Sequence, residues 1–342
     1  EYENKLFKYV IPSLIKDIKK KNTKIFFFLN FNNIDIPNKI SDIFLKEKLS
    51  FKIYSKIIEE KEINSFSYKD LTKNQVLHFK RSKKLKCDYI IFLYADMFYW
   101  PRSIENSIKI LSKNKSIKGC CSFGIELKEN KYLDKFCYHL FKKSKISIAN
   151  DYLINNLTKI ISPFHKNYII NHGLPTNFNF FIFHKINNYF FLKTFDYHPL
   201  IMRIENMTKL NENVPIDSEF IRKNDLNKWH IERDLFKISC FSITDNLLQR
   251  NYFRKYKNIN TSKKKLSYIF YKCVYYNINK FCTDKKDFYD NYFYLKHSKQ
   301  KINHSKVNNI INLNIKKDKL KNVFNNFILI MKLVCDIKLI KI

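Results

Sequence analysis

The sequence predicts an α/β protein: a doubly wound, mostly parallel sheet with an antiparallel addition, then a helical C-terminal extension. Three observations lead there. Apolar runs such as "KIFFFLNF" and "CDYIIFLYAD" are continuous rather than alternating, as in strands buried on both faces. Amphipathic stretches of helical period separate these runs. The texture then changes twice, near residue 170 and near residue 250.

The elements follow in order. "NKLFKYVIPSLIKDIKK" carries apolar residues at helical spacing, with Pro12 expected to end or kink the helix early. "KIFFFLNF" and "FKIYSKI" predict strands, "LTKNQVLHFKRSKKLK" a helix, and residues 88–94 a third strand. "PRSIENSIKILSKN" opens on a proline suited to a first helical turn. "KGCCSFGIEL" predicts another buried strand. "NFNFFIFHKI" and "NYFFLKTFDYHPLIMRIE" are β-type stretches separated by "NN", hence the antiparallel addition. "VPIDSEFIRKND" reads as a loop entering a helix, and "DLFKISCFSITDN" as a late strand.

Residues 1–250 therefore form one predicted domain and 251–342 a basic helical extension. The extension has no Pro, Gly or Glu and holds 21 Lys/Arg against 5 Asp, so 21 − 5 = +16 of the chain's net charge of +33. Its last 21 residues, "NVFNNFILIMKLVCDIKLIKI", are too interrupted to cross a bilayer but suit a helix lying on an anionic surface.

An apolar fraction of 45% excludes a disordered chain. The charge points toward nucleic acid or an anionic membrane. Yet only 7 of the 64 basic residues are arginine, and the chain has 3 Gly beside abundant Lys, Asn, Ile, Phe and Tyr. That is the drift of an A/T-rich coding sequence, and dedicated phosphate readers favour the arginine fork. The eight cysteines are scattered, without C-x-x-C or metal-type spacing, which fits a reducing cytosol. No Walker loop, G-x-G-x-x-G, H-E-x-x-H or G-x-S-x-G is present.

In open α/β sheets ligands bind beyond the carboxyl ends of the strands. Asp96 stands at such an end, after "YIIFLYA" and before "MFYWP". It serves there either as a turn cap before Pro101 or as a ligand-binding acid. Other polar residues fall in comparable places, each with a plain structural alternative. Asp217 and Glu219 sit where a loop enters a helix, as bases or as N-terminal caps. His198 and Asp196 share a strand face, and Asp245 ends the last strand of the domain. Arg203 and Arg81 are phosphate candidates by the scarcity of arginine, with His78 one helical turn before Arg81.

"CDYIIFLYADMFYWPRSI" resembles the segment of nucleotide-sugar glycosyltransferases of the GT-A fold in which an apolar strand runs into a D-x-D motif. "FDYHPLIMRIE", "PIDSEFI" and "FSITDN" follow in an order similar to that of bacterial glycosyltransferase-like proteins, and "EYENKLFKYVIPSLI" resembles the segment after their first strand. The resemblance covers roughly residues 1–250. It implies a GT-A-like catalytic domain whose first strand precedes residue 1. It implies transfer of sugar from a nucleotide-sugar donor to a glycan or lipid-linked acceptor, at the cytoplasmic face of a membrane. Asp96, with His78 and Arg81, would then bind the donor. Asp217 or Glu219 would be the catalytic base, with Asp196, His198, Arg203 and Asp245 toward acceptor or phosphate. A Mn²⁺ or Mg²⁺ ion would rest on Asp96. The first acid of the motif falls on Tyr94, which departs from the pattern and weakens the implied metal dependence. The alternatives are a basic nucleic-acid-binding protein without catalysis and a transferase-like fold that has lost activity.

Overall fold

The computed structural model describes residues 2–18, 24–31, 33, 35–57, 68–142, 145–162, 182–186, 189–193, 198–207, 210, 216, 220–221, 226–244 and 293–296. The chain begins with α1 (Tyr2–Lys5), a π-helical stretch at Leu6–Val10 and α2 (Ile11–Ile18). Pro12 does not stop this helical run. The wider π turn lies directly before it, where a proline's missing N–H and its ring would otherwise break the ladder.

Then come β1 (Ile25–Phe31), α3 (Asp35–Lys46), β2 (Phe51–Ile57) and α4 (Tyr68–Lys84). The strands β1 and β2 pair in parallel, Ile25 opposite Phe51. Both strands and the long helix coincide with their predicted stretches.

Residues 88–94 give only a short ladder strand, β3 (Tyr89–Ile90), leading through a turn to β4 (Met97–Tyr99). Strand character needs a neighbour, and among the described pairings only Tyr89 and Ile90 find one here. The next helix, α5 (Ser103–Lys113), starts after Pro101, because Arg102 at its N-cap takes a left-handed φ of 68°. That N-terminus has no cap of its own. Asp17 of α2 serves instead, its Oδ2 accepting the Ile104 N–H at 3.2 Å.

"KGCCSFGIEL" divides into β5 (Gly119–Ser122) and β6 (Gly124–Lys128), interrupted at Phe123. Gly119 is required by close approach: a Cβ there would stand 2.6 Å from both the Ile201 carbonyl and the Trp229 ring. After α6 (Lys131–Cys137), a π-helical stretch at Tyr138–Lys142 and α7 (Ile146–Ile160), the remaining strands are β7 (Ile182–Ile186), β8 (Tyr189–Lys193), β9 (His198–Arg203), β10 (Trp229–Ile231), β11 (Cys240–Thr244) and β12 (Phe293–Lys296).

The strands form sheets in the orders β1-β2, β10-β5-β9-β3, β4-β11-β6 and β12-β8-β7. The fold class is thus mixed α/β. Parallel pairing joins β1 to β2, β5 to β10 and β6 to β11. The other five described pairings are antiparallel, so the expected mostly parallel sheet gives way to a mixed one. The strand β9 causes much of this, running antiparallel between β3 and β5. The helical reading of the extension does not hold at residues 293–296: β12 pairs with β8, and its Leu295 is buried in the main core.

Two apolar layers cover the central strands. One holds Phe98, Trp100, Phe136 and Phe241 against α6 and α7, with Trp100 and Phe236 rings 4.7 Å apart. The other holds Val10, Leu14, Phe44, Leu111 and Ile201 under α2, α3 and α5. Adjacent residues of β5 face opposite layers: Cys120 joins the second and Cys121 the first. Burial on both faces is why these strands read as continuous apolar runs. The five described cysteines, Cys87, Cys120, Cys121, Cys137 and Cys240, are free thiols.

Candidate functional site

The turn after β3 presents Asp96. The Met97 N–H closes it on the Tyr94 carbonyl at 3.1 Å, and the Ile243 N–H of β11 donates to the Asp96 carbonyl at 2.8 Å. The strand β11 ends at Thr244, one residue before Asp245, which lies outside the described residues. The Asp96 side chain is partly buried. Burial pushes its carboxyl above the usual range, while its own backbone N–H and the Lys5 ammonium act in the opposite direction.

A buried glutamine ties this turn to the acidic loop. Gln75 lies on the inner face of α4 with Thr72, Val76 and Phe79, all buried. Its Nε2 donates to the Tyr94 hydroxyl at 3.1 Å, and its Oε1 accepts the Ile216 N–H at 3.3 Å. Ile216 is buried and directly precedes Asp217 in sequence. One side chain therefore joins the segment "YAD" to the start of "IDSEF". Asp217, Glu219 and Asp196 themselves lie outside the described residues, while Phe220, next after Glu219, is buried and helical.

His78 follows Gln75 by one helical turn. Its ring stacks on Phe28 of β1, with centroids 5.3 Å apart, and its buried Nδ1 has no hydrogen-bond partner. Burial, reinforced by the Arg81 charge, brings its pKa down to about 4, so it is neutral at pH 7. Arg81 is exposed on the same helix.

Antiparallel β9 divides the other candidates between two edges. His198 opens β9 opposite Ser122, the carboxyl end of β5. Arg203 closes it opposite Tyr89, the amino end of β3. His198 thus lies beside the carboxyl end of β5, whereas Arg203 lies five residues away, roughly 16 Å along the strand. Burial brings the His198 imidazole down to about 4 as well. Arg203 is buried and already engaged. It donates to Glu205 at 2.9 Å and to the Leu111 carbonyl at the end of α5, and it lies over the Tyr89 ring. Its place is that of a structural tie between β9 and α5.

Across β5 from His198 runs a further polar group. Ser122 Oγ donates to the Glu232 carbonyl at 3.1 Å. The Glu232 carboxylate accepts from Lys237 Nζ at 2.6 Å and from the N–H groups of Arg233 and Asp234, with His230 Nε2 at 3.4 Å. Burial pushes this carboxyl up, but the hydrogen bonds outweigh it and hold the pKa at about 2. Glu232 is a satisfied anion that shapes the edge beside His198.

Among the described residues no group of three or more His, Cys, Asp or Glu could hold a metal ion. At Asp96, the neighbouring Tyr94 hydroxyl accepts from Gln75 at 3.1 Å.

Neither protein-family models, nor curated proteins, nor solved structures give a match to this chain. The site has to be read from its own residues. One of them, Gln75, is not distinguished in the sequence. Gln75 could have been found: a glutamine on the apolar face of an amphipathic helix is a buried polar group in need of partners.

Proposed function

We propose that this chain is a GT-A-like glycosyltransferase, moving a sugar from a nucleotide-sugar donor to a glycan or lipid-linked acceptor. The observation that carries the reading is the Gln75 bridge. It brings the strand-end turn of Asp96 and the loop leading into Asp217 to one side chain. Glycosyl transfer needs those two functions together: a group that holds the donor, and a carboxylate that takes the acceptor's proton as an oxocarbenium-like centre forms. Asp96 accepts donor hydroxyls, Asp217 or Glu219 is the base, and neutral His198 hydrogen-bonds ligand beside the carboxyl end of β5. The placement of Asp96 beyond the carboxyl end of β3 supports the same reading. The extension's terminal residues attach the enzyme to an anionic membrane surface, where a lipid-linked acceptor is found.

Screening nucleotide sugars by saturation-transfer NMR tests this. Binding of at least one donor, lost in Asp96→Asn, is expected; a folded protein that binds none refutes it.

A second reading, single-stranded nucleic-acid binding, has one observation in its favour. On β1 and β2, Lys24 lies over the Phe26 ring at 5.3 Å and Lys52 over the Tyr54 ring at 5.1 Å, and these partly buried rings stack. Steeply salt-dependent binding of an oligonucleotide, lost in Phe26→Ala/Tyr54→Ala, would favour it.

A further inference from the structure

The helical hairpin of α6, its π-helical continuation and α7 presents an outer surface two helices wide. The Lys145 N–H closes the turn on the His139 carbonyl at 3.2 Å. Across the hairpin the His139 ring meets the Tyr152 ring at 5.6 Å, Lys135 lies over that same ring, and Lys159 lies over the Tyr132 ring at 5.0 Å. The inner side is core: Leu133, Phe136 and Leu140 from one arm, Ala149, Leu153 and Leu157 from the other. At helical spacing the opposite side carries Lys131, Lys135, Tyr138, Ile148 and Lys159, all exposed, with exposed Lys142 and Lys145 at the turn.

Two features set this surface apart from an ordinary solvated one. Among the described residues four large apolar side chains are exposed, and two of them, Tyr138 at 46% and Ile148 at 43%, are here. The charge is also one-sided. Five exposed lysines face Asp134 and half-buried Asp151, and Asp134 is already held by Lys8 at 2.6 Å and by the Tyr9 hydroxyl. Lys131, Lys135 and Lys159 rest on tyrosine rings, not on acids of the described residues, so their charge is not neutralised.

We propose that the outer face of this hairpin lies on an anionic lipid bilayer, a membrane contact on the folded body itself. The ammonium groups meet lipid phosphates, the tyrosine rings sit at headgroup level with their hydroxyls toward water, and Ile148 enters the acyl boundary. The arm α7, with 15 residues, is about 22 Å long, so the footprint is flat and fixes how the body sits on the membrane. A nucleic-acid strand would satisfy the lysines but leave Ile148 without an apolar partner, which favours lipid. The hairpin and the C-terminal residues bind the same surface together: the tail tethers, and the hairpin orients. The inference uses no residue of the Asp96 site and does not depend on the transferase reading.

Partitioning of the full chain onto phosphatidylcholine–phosphatidylglycerol vesicles, against phosphatidylcholine alone, tests it. Lys135→Gln/Lys142→Gln/Lys145→Gln removes charges that are each worth about fivefold near such a surface, and less as salt rises. Partitioning should fall at least about tenfold in this variant, with the thermal midpoint unchanged because all three side chains are exposed. Tyr138→Trp gives a second, direct readout. The native Trp100 and Trp229 are buried, at 1% and 5% exposure, so the new fluorescence reports the hairpin face. Phosphatidylglycerol vesicles with brominated chains should quench it, and uncharged brominated vesicles should not. A triple variant that partitions as wild type, or unquenched fluorescence from a protein that still sediments with the vesicles, overturns the proposal and leaves the tail as the membrane contact. A wild-type protein that binds no vesicles overturns it too. If that protein instead binds a single-stranded oligonucleotide and the triple variant does not, the face belongs to nucleic acid. Each of these results leaves donor binding at Asp96 to its own test.

Discussion

Replacing Gln75 by leucine removes the link between the Asp96 turn and the acidic loop while keeping the side chain's bulk. Two hydrogen bonds disappear, one to the Tyr94 hydroxyl and one from the buried Ile216 N–H. Each contributes about 1 kcal/mol net, and the stranded Ile216 N–H adds a desolvation cost of about 1–3 kcal/mol. The leucine's apolar gain offsets part, so a loss of about 2–4 kcal/mol is expected, near the upper end for point variants. At roughly 2–4 °C per kcal/mol for a body of this size, the thermal midpoint falls by roughly 4–16 °C. The loss is also local. Hydrogen exchange at Ile216 and at Phe220–Ile221 should rise more than at β5 or β11, because the loop is released from its anchor. Gln75→Glu, which accepts from both the Ile216 N–H and a reoriented Tyr94 hydroxyl, should retain more of the protection. Unchanged exchange at Ile216 in Gln75→Leu, with an unchanged midpoint, would refute the bridge as the element that holds the two segments together.

Further predictions concern the base, the charge cluster and the extension. Asp217→Ala or Glu219→Ala should lower kcat by at least about 10²-fold, the low end for loss of a general base; normal turnover in both moves the base to Asp196. The Glu232 pKa lies at about 2, below its ordinary 4.5, so its hydrogen bonds stabilise the fold above pH 4.5 and are lost as pH falls through 2. The drop is roughly 3 kcal/mol, and chemical denaturation from pH 6 to pH 2 should show it in wild type but not in Glu232→Gln. Asp17 has the opposite sign: burial raises its pKa to about 7, so its ionisation costs stability as pH rises from about 4 to 7, and Asp17→Asn should flatten that slope. Deleting residues 322–342 while keeping β12 should abolish co-sedimentation with anionic liposomes; undiminished binding would place the membrane contact elsewhere.

Much of the body was legible because its signals are periodic. The strands β1 and β2 and helices α4 and α5 each carry enough apolar residues at one spacing to state their type. Pairing direction carries no such signal, and it decided the mixed sheet. It also separated Arg203 from the site: scarcity marked the residue, but only the antiparallel register of β9 shows which edge it reaches. The segment Ile91–Tyr94 is as apolar as β3, yet ladder formation depends on a neighbour that the segment's own residues do not specify. Pro12 marked a disturbance of the helix but not its form: a π turn before it lets the run continue to Ile18. Asp96 was visible as an acid ending an apolar strand. Gln75 was not, because its meaning comes from a partner roughly 140 positions away.

The central claim is that Asp96 marks the donor site of a sugar-transferring enzyme. Its most direct test is release of nucleoside diphosphate from the donor that the wild-type protein binds, measured for wild type and Asp96→Asn with acceptor lipid extract present. The account predicts turnover by wild type and a loss of at least about 10²-fold in Asp96→Asn, with thermal midpoints alike. Equal turnover by the two proteins, or a variant that loses its fold while still binding donor normally, would show that Asp96 is only the cap of its turn.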